Sequence, residues 1–351
     1  MKTDLPTASF GSSQAPTDAV DKSPSASNTK IQTAPMAPAG PLTMRITAIR
    51  QSAPDIRIFD LASASGDELP AFSAGSHVQV ILPLEGRVLR NAYSLACSPL
   101  QRQHYRIAVR RQAQSRGGSA YLHAHACVDD LLQLSLPSNL FPIDRMAARH
   151  LLIAGGIGIT PFLGYVADLA DQNANFELHY AFRSTENAAF LDELTLHGLS
   201  RFHSYDSARG ARLNPTHLLA EQPLGTHVYV CGPTGLTQEV ITVARDLGWP
   251  ESHIHSEGFT APAPGEAFSV YCARSQRNLQ VPADQSLLEA LEVAGVDIPN
   301  LCRGGVCGQC ETEVLDGIVE HRDSYLASNE RANKIMPCVS RARGASLVLN
   351  L

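Results

Sequence analysis

The chain is poor in aromatic residues and has no long hydrophobic run. It holds one tryptophan in 351 residues, and Phe, Trp and Tyr together make up 6%. No stretch approaches the roughly 18 consecutive apolar residues of a membrane-spanning helix, so no membrane role is expected. The first residues mix Asp4, Asp18 and Asp21 with Lys2, Lys22 and Lys30 and contain no apolar core. That argues against a secretory signal or an Arg-rich transit peptide and points to a cytoplasmic protein. Hydrolase and metalloprotease signatures are missing too. There is no G-x-S-x-G, H-E-x-x-H or H-x-x-H, and the 13 histidines show no paired metal spacing. Nor is there a concentrated basic face. Residues 1–150 carry 15 Lys and Arg against 11 Asp and Glu, residues 151–265 carry 5 against 12, and residues 266–351 carry 8 against 11. The chain, at a net charge of −6, is not expected to bind nucleic acid.

What is present suffices for packed cores. Hydrophobic residues amount to 44%, and the length leaves room for two or three domains. Residues 1–42, dominated by Ser, Ala, Pro and Thr, cannot bury enough surface to offset ordering entropy and are expected to be a disordered extension. Residues 43–146 run in short alternating or β-branched segments such as MRITAI, HVQVILP, NAYSLA and YRIAVRR. Punctuated by Gly, Pro and Asp, they predict an antiparallel β-barrel with one helical segment near Ser119–Ala126. From residue 147 to 260 the pattern becomes strand, glycine turn, helix, as in HLLIAGG followed by TPFLGYVADLADQ. This predicts a parallel α/β sheet. Thr160 before Pro161 reads as a helix N-cap, and so does Thr234. Residues 261–267 form a proline-containing linker, and 268–351 read as a hairpin, a short helix and a cysteine-rich loop.

The eight cysteines divide sharply. Cys97, Cys127, Cys231 and Cys272 are scattered, whereas Cys302, Cys307, Cys310 and Cys338 fall within 37 residues. In a chain expected to be cytoplasmic, such a cluster suggests metal rather than disulfides. The C-x₄-C-x₂-C spacing, with a fourth cysteine after 27 intervening residues, is that of plant-type [2Fe–2S] centres. A structural zinc site would normally use shorter spacing within each ligand pair. Elsewhere Ala154-Gly155-Gly156-Ile157-Gly158-Ile159-Thr160-Pro161 lies between a strand and a helix. Such a glycine turn offers bare N–H groups to phosphate.

Residues 266–351 resemble plant-type ferredoxins. The Gly155–Pro161 turn, paired with Cys231-Gly232-Pro233 after a later strand, resembles the pyridine-nucleotide domain of the ferredoxin reductase superfamily. Arg90-Asn91-Ala92-Tyr93-Ser94 resembles that superfamily's flavin motif. The order of flavin barrel, nucleotide domain and ferredoxin domain is that of the phthalate dioxygenase reductase family, shared by vanillate demethylase and phenoxybenzoate-type reductases. The resemblance implies a multi-domain fold: a β-barrel, an α/β parallel-sheet domain and an α+β (β-grasp) ferredoxin domain. It further implies that Gly155, Gly156, Gly158, Thr160 and Pro161 face a pyrophosphate, and that Cys231, Gly232 and Pro233 lie by the nicotinamide. Tyr93 would pack on the flavin ring with Ser94 near its N5, while Arg90 and the turn Gly117-Gly118-Ser119 hold its phosphate. Phe259 is a candidate to cover the ring and Glu257 to sit near the nicotinamide, though either would equally serve as a domain-boundary residue. Ser94, Cys231 and Glu257 are the expected catalytic residues. Arg183 follows a strand where it contacts either a ribose 2′-phosphate or nothing.

The implied cofactors are FMN, NADH and the cluster, and the implied partner of this monomer is a terminal Rieske non-haem iron oxygenase. A haem monooxygenase as acceptor, or a non-catalytic electron-transfer module, are the alternatives. Deleting residues 1–40 should leave the absorbance spectrum and NADH oxidation unchanged. A large loss of either would show that the extension is not passive.

Overall fold

The structure is a computed structural model and describes residues 40–84, 87–112, 117–196, 201–259 and 264–351. Most of the expected N-terminal extension and the start of the linker lie outside the described residues.

Strands β1 (Leu42–Ala53), β2 (Ile56–Ser63), β3 (Ser76–Leu84), β4 (Arg87–Ser94), β5 (His104–Arg110), β6 (Leu131–Leu134) and β7 (Ser138–Asn139) form one antiparallel sheet. Its order is β4-β3-β6-β1-β2-β5, with β7 beside β3. Just past β4 the Ala96 amide donates to the Arg106 carbonyl of β5 at 2.8 Å, and this closes the barrel. Alternate residues Met44, Ile46, Val78, Val80 and Ile107 fill its interior with Leu122 of helix α1 (Gly118–Ala124).

The second sheet is parallel: β8 (Arg149–Gly155), β9 (Phe176–Phe182), β10 (Phe202–Asp206), β11 (Thr226–Cys231) and β12 (Ile254–Glu257), ordered β10-β9-β8-β11-β12. Helices α2 (Thr160–Asp171), α3 (Leu191–Leu196), α4 (Pro215–Ala220) and α5 (Thr234–Asp246) connect the strands. The order reverses between β8 and β11, and the crevice beyond the C-terminal ends there is where such sheets bind ligands. One face packs Leu151, Ile153, Val228 and Val230 against α4 and α5. The other packs Leu178, Tyr180, Phe162 and Tyr165 in a core that continues into the barrel through Ala53, Ile56, Ile58 and Ala108. Barrel and parallel sheet thus share one apolar core.

Two capping expectations fail. A 3₁₀ turn (Gly156–Ile159) precedes α2, so Ile159 is the cap and Thr160 is already helical, its hydroxyl donating to the Ile157 carbonyl at 3.1 Å. Pro233 caps α5 in place of Thr234. Both glycine turns run directly into helix, which moves each threonine one residue inside. Gly248 after α5 is left-handed, φ +78°, as a helix C-terminus favours.

The third unit has a core of its own. Strands β13 (Phe268–Cys272), β14 (Arg277–Val281), β15 (Thr312–Asp316), β17 (Lys334–Ile335) and β19 (Ser346–Leu349) make a mixed sheet ordered β14-β13-β19-β15-β17, with β13 parallel to β19. The short pair β16 (Val319–Glu320) and β18 (Arg341–Ala342) lies beside it. Helix α6 (Leu287–Val293) opens on a capping box between Ser286 and Glu289. No helix among the described residues is long and apolar enough to cross a membrane.

Candidate functional site

Cys302, Cys307 and Cys310 follow α6 in one loop, and Cys338 joins them from the segment after β17. Their thiol groups touch in a chain, Cys307 to Cys302 to Cys338 to Cys310. Hydrogen bonds from Cys307 and Cys338, and from backbone N–H groups, hold the Cys302 thiol far below its ordinary range. One of these backbone donors is Gly304 N–H, 3.3 Å from Cys302 Sγ. Gly308, φ +77°, lies against the Tyr325 ring, where a Cβ would collide. Four thiols converging in this way are the donor set that a [2Fe–2S] core takes. Arg303 in this loop grips Glu292 of α6 with two hydrogen bonds of 2.7 and 2.8 Å.

On β4, Asn91 and Tyr93 share a face, and Asn91 Nδ2 donates to Tyr93 Oη at 3.2 Å. Burial pushes the Tyr93 phenol up to about 12. Asn91 fills the space where a Cβ on Gly118 would project, so it is Asn91 that lies at the Gly117–Gly118 turn. Arg90, one residue back on a strand, points the other way. Its Nε lies 3.7 Å from Glu292 Oε1 of the third domain. The buried Ser94 hydroxyl has no hydrogen-bond partner among the described residues. Such an orphan costs about 1–3 kcal/mol unless a ligand answers it, and a flavin edge fits that need. Ser119 is buried in α1, its hydroxyl accepting from the Gln112 amide at 3.3 Å.

Opposite Ser94 on β3 stands His77, buried, with Nδ1 unpartnered among the described residues. Burial lowers its imidazole pKa while the Cys302 thiolate opposes that shift, so this side chain faces both the flavin strand and the cluster loop. Two residues on, Gln79 Nε2 donates to the Leu301 carbonyl at 2.6 Å. Sequence reading missed His77, Gln79 and Glu292. Their partners are up to 222 residues away, and no local pattern marks them.

The two glycine turns meet backbone to backbone at the switch point. A Cβ on Gly158 would collide with the Cys231 carbonyl, and one on Gly155 would come within 2.6 Å of Pro233 Cδ. Gly232 in turn presses on the Gly155 backbone. Gly156, φ +54°, has open space around it, as a ligand-facing glycine should. Pro161 is buried in the first turn of α2. Cys231 and Glu257 are direct neighbours across β11 and β12. Burial pushes the Cys231 thiol well up, with Glu257 adding to it. Glu257 Oε2 is shielded from solvent and unpartnered among the described residues, and burial pushes this carboxyl up to about 8. Phe259 is 41% exposed at the end of the domain. Arg183, exposed past β9, contributes its carbonyl to the Ala208 amide.

The profile of the 2Fe-2S iron-sulfur cluster binding domain matches residues 270–343, and that of the dimethylamine monooxygenase subunit DmmA-like N-terminal domain matches residues 137–254. The heme-dependent oxidative N-demethylase beta subunit of Ectopseudomonas mendocina (strain ymp) is 52% identical over 310 residues, covering 88% of this chain and 99% of that protein. The vanillate O-demethylase oxidoreductase of Pseudomonas sp. (strain HR199 / DSM 7063) is 42% identical, covering 87% and 98%. Among solved structures, phthalate dioxygenase reductase, described as modular for electron transfer from pyridine nucleotides to [2Fe–2S], superposes with a TM-score of 0.79 at 36% identity, covering 89% and 98%.

The elevated Glu257 pKa has a definite sign. Folded Glu257 keeps its proton to about pH 8, whereas the unfolded carboxyl loses it near 4.5. Wild-type stability should therefore fall as pH rises through that window and level off above it. The Tm of Glu257→Gln relative to wild type should climb between about pH 4.5 and about pH 8. A difference that stays constant with pH would show that the carboxyl is not held protonated.

Proposed function

The chain belongs to the phthalate dioxygenase reductase family, and we propose that it is the NADH-dependent reductase component of a multicomponent aromatic oxygenase or demethylase. The observation that carries this reading is convergence. The unanswered Ser94 hydroxyl ends β4 opposite His77 of β3, and the same β3, through Gln79, meets Leu301 at the start of the cluster loop.

When bound, the groups divide the chemistry: nicotinamide supplies a hydride, FMN takes its two electrons together and releases them singly, and a [2Fe–2S] cluster carries one at a time. The residues then have positional tasks. Gly155, Gly156 and Gly158 leave backbone N–H groups open to a pyrophosphate at the start of α2, with Thr160 and Pro161 setting that helix. Gly232 and Pro233 border the nicotinamide position, and Cys231 forms a dry floor beneath it. Glu257, protonated to about pH 8, offers a neutral hydrogen-bond donor there. Tyr93 supplies a ring to pack on the flavin, Ser94 its hydroxyl, and Asn91 with Gly117, Gly118 and Ser119 the phosphate end. Phe259, exposed at the end of the domain, is the candidate to cover the ring, and Arg183, exposed past β9, the candidate to meet the nucleotide's ribose. Cys302, Cys307, Cys310 and Cys338 hold the cluster. A cytoplasmic monomer is the simplest setting, since four thiols must stay reduced to accept iron.

The partner is an oxygenase. A Rieske non-haem iron protein is the first reading, on the resemblance to phthalate dioxygenase reductase. A haem-containing demethylase is the second, favoured by the 52% identity to a subunit of that name. The aromatic or N-methyl substrate is bound by that partner and leaves no mark here.

NADH should bleach the flavin absorbance of the purified protein. No bleaching with either NADH or NADPH would end the reading. Cys338→Ala should abolish cluster absorbance and cytochrome c reduction while sparing NADH–ferricyanide activity. Equal loss of both activities in a folded variant would overturn the order of carriers. Reduction of a purified Rieske oxygenase but not a haem demethylase, or the reverse, decides the partner.

A further inference from the structure

The parallel sheet holds a second cluster of donor groups, away from the nucleotide crevice. The β9–β10 register sets His203 directly beside His179, and their rings stack at 4.7 Å with 16° between planes. Glu177, two residues before His179 on the same face of β9, brings Oε2 to 3.4 Å from His179 Nε2. One ligand atom from each of Glu177, His179 and His203 lies within 4.8 Å of the other two, the one such group of three His, Cys, Asp or Glu side chains among the described residues.

We propose that Glu177, His179 and His203 form a site for a divalent transition-metal ion of the zinc class. Two imidazoles and a carboxylate are donors that Zn²⁺ accepts and that Mg²⁺ and Ca²⁺ do not favour. The outer groups are arranged as such a site needs. Tyr205 Oη bonds His179 Nδ1 at 2.9 Å, which leaves Nε2 as the liganding nitrogen and fixes the ring's orientation. Arg149 pairs with Glu177 through Oε1 and leaves Oε2 turned towards His179. His179 is only 5% exposed at its side chain, while His203 is exposed. The buried ligand is therefore preset, and the outer one has room to draw in. A fourth position stays open to solvent. Strand β10 lies at the sheet's edge with β9 as its one neighbour, so an ion joining His179 to His203 would fasten that edge.

Isothermal titration of the flavin- and cluster-loaded protein with ZnCl₂ tests this. Wild type should bind one tight equivalent, raise its Tm and keep its cluster absorbance. Exposed His203→Ala should bind at least about tenfold more weakly and lose the Tm shift, with NADH–ferricyanide activity unchanged. Tyr205→Phe, which removes only the orienting bond, should weaken binding by about tenfold. Equal affinity in wild type and His203→Ala, an equal response to Mg²⁺, or no zinc-dependent heat in wild type would each overturn the proposal.

Discussion

The apolar seam between the barrel and the parallel sheet is the constraint on which the proposed site depends. Tyr165 of α2 is fully buried in it, its hydroxyl donating to the Phe141 carbonyl and its ring packed near Phe141, Phe162 and Tyr229. Immediately before Tyr165 in α2, Gly164 lies under the carbonyls of Leu95 and Cys97, just after Ser94. Because interiors pack at crystal-like density, such a seam holds its two sides at a set distance. The glycine turn at the start of α2 and the flavin motif at the end of β4 are held in one body for that reason, as direct transfer between their ligands requires.

The third domain is joined differently. It closes its own core and meets the barrel through polar contacts: the Gln79 bond to the Leu301 carbonyl and the Arg90–Glu292 pair. Partly exposed ion pairs add little stability, but they fix orientation. Glu292 is shared between Arg90 on the barrel and Arg303 in the cluster loop, so the same carboxylate that braces the loop also faces it towards β4. The contact explains the burial of His77 and Gln79, polar residues on the outer face of a barrel strand. A polar, small junction suits a carrier that must be reached by another protein, whereas the first two domains need no such access.

Much of this was legible in short-range patterns. Period-two alternation marked β1, β3, β4 and β5, glycine turns between apolar runs marked the parallel sheet, and cysteine spacing marked the cluster. These signals are local because the physics behind them is local: pleat, turn dihedrals and the reach of a loop around a metal core. The failures were of two kinds. Thr160 and Thr234 carry cap chemistry, yet a 3₁₀ turn and Pro233 take the capping positions. A second limit is long range: His77, Gln79 and Glu292 meet partners far along the chain, which no local pattern marks.

The three-domain order, the cluster of four cysteines and the two glycine turns could all be read along the chain, since each rests on residues near one another in it. Tertiary structure decided what those pieces face. Parallel register put His179 beside His203 although their spacing along the chain suggests no metal pair, and β11–β12 pairing put Glu257 against Cys231 out of water. Such neighbours are brought together by strand order and core packing, which depend on the whole chain at once.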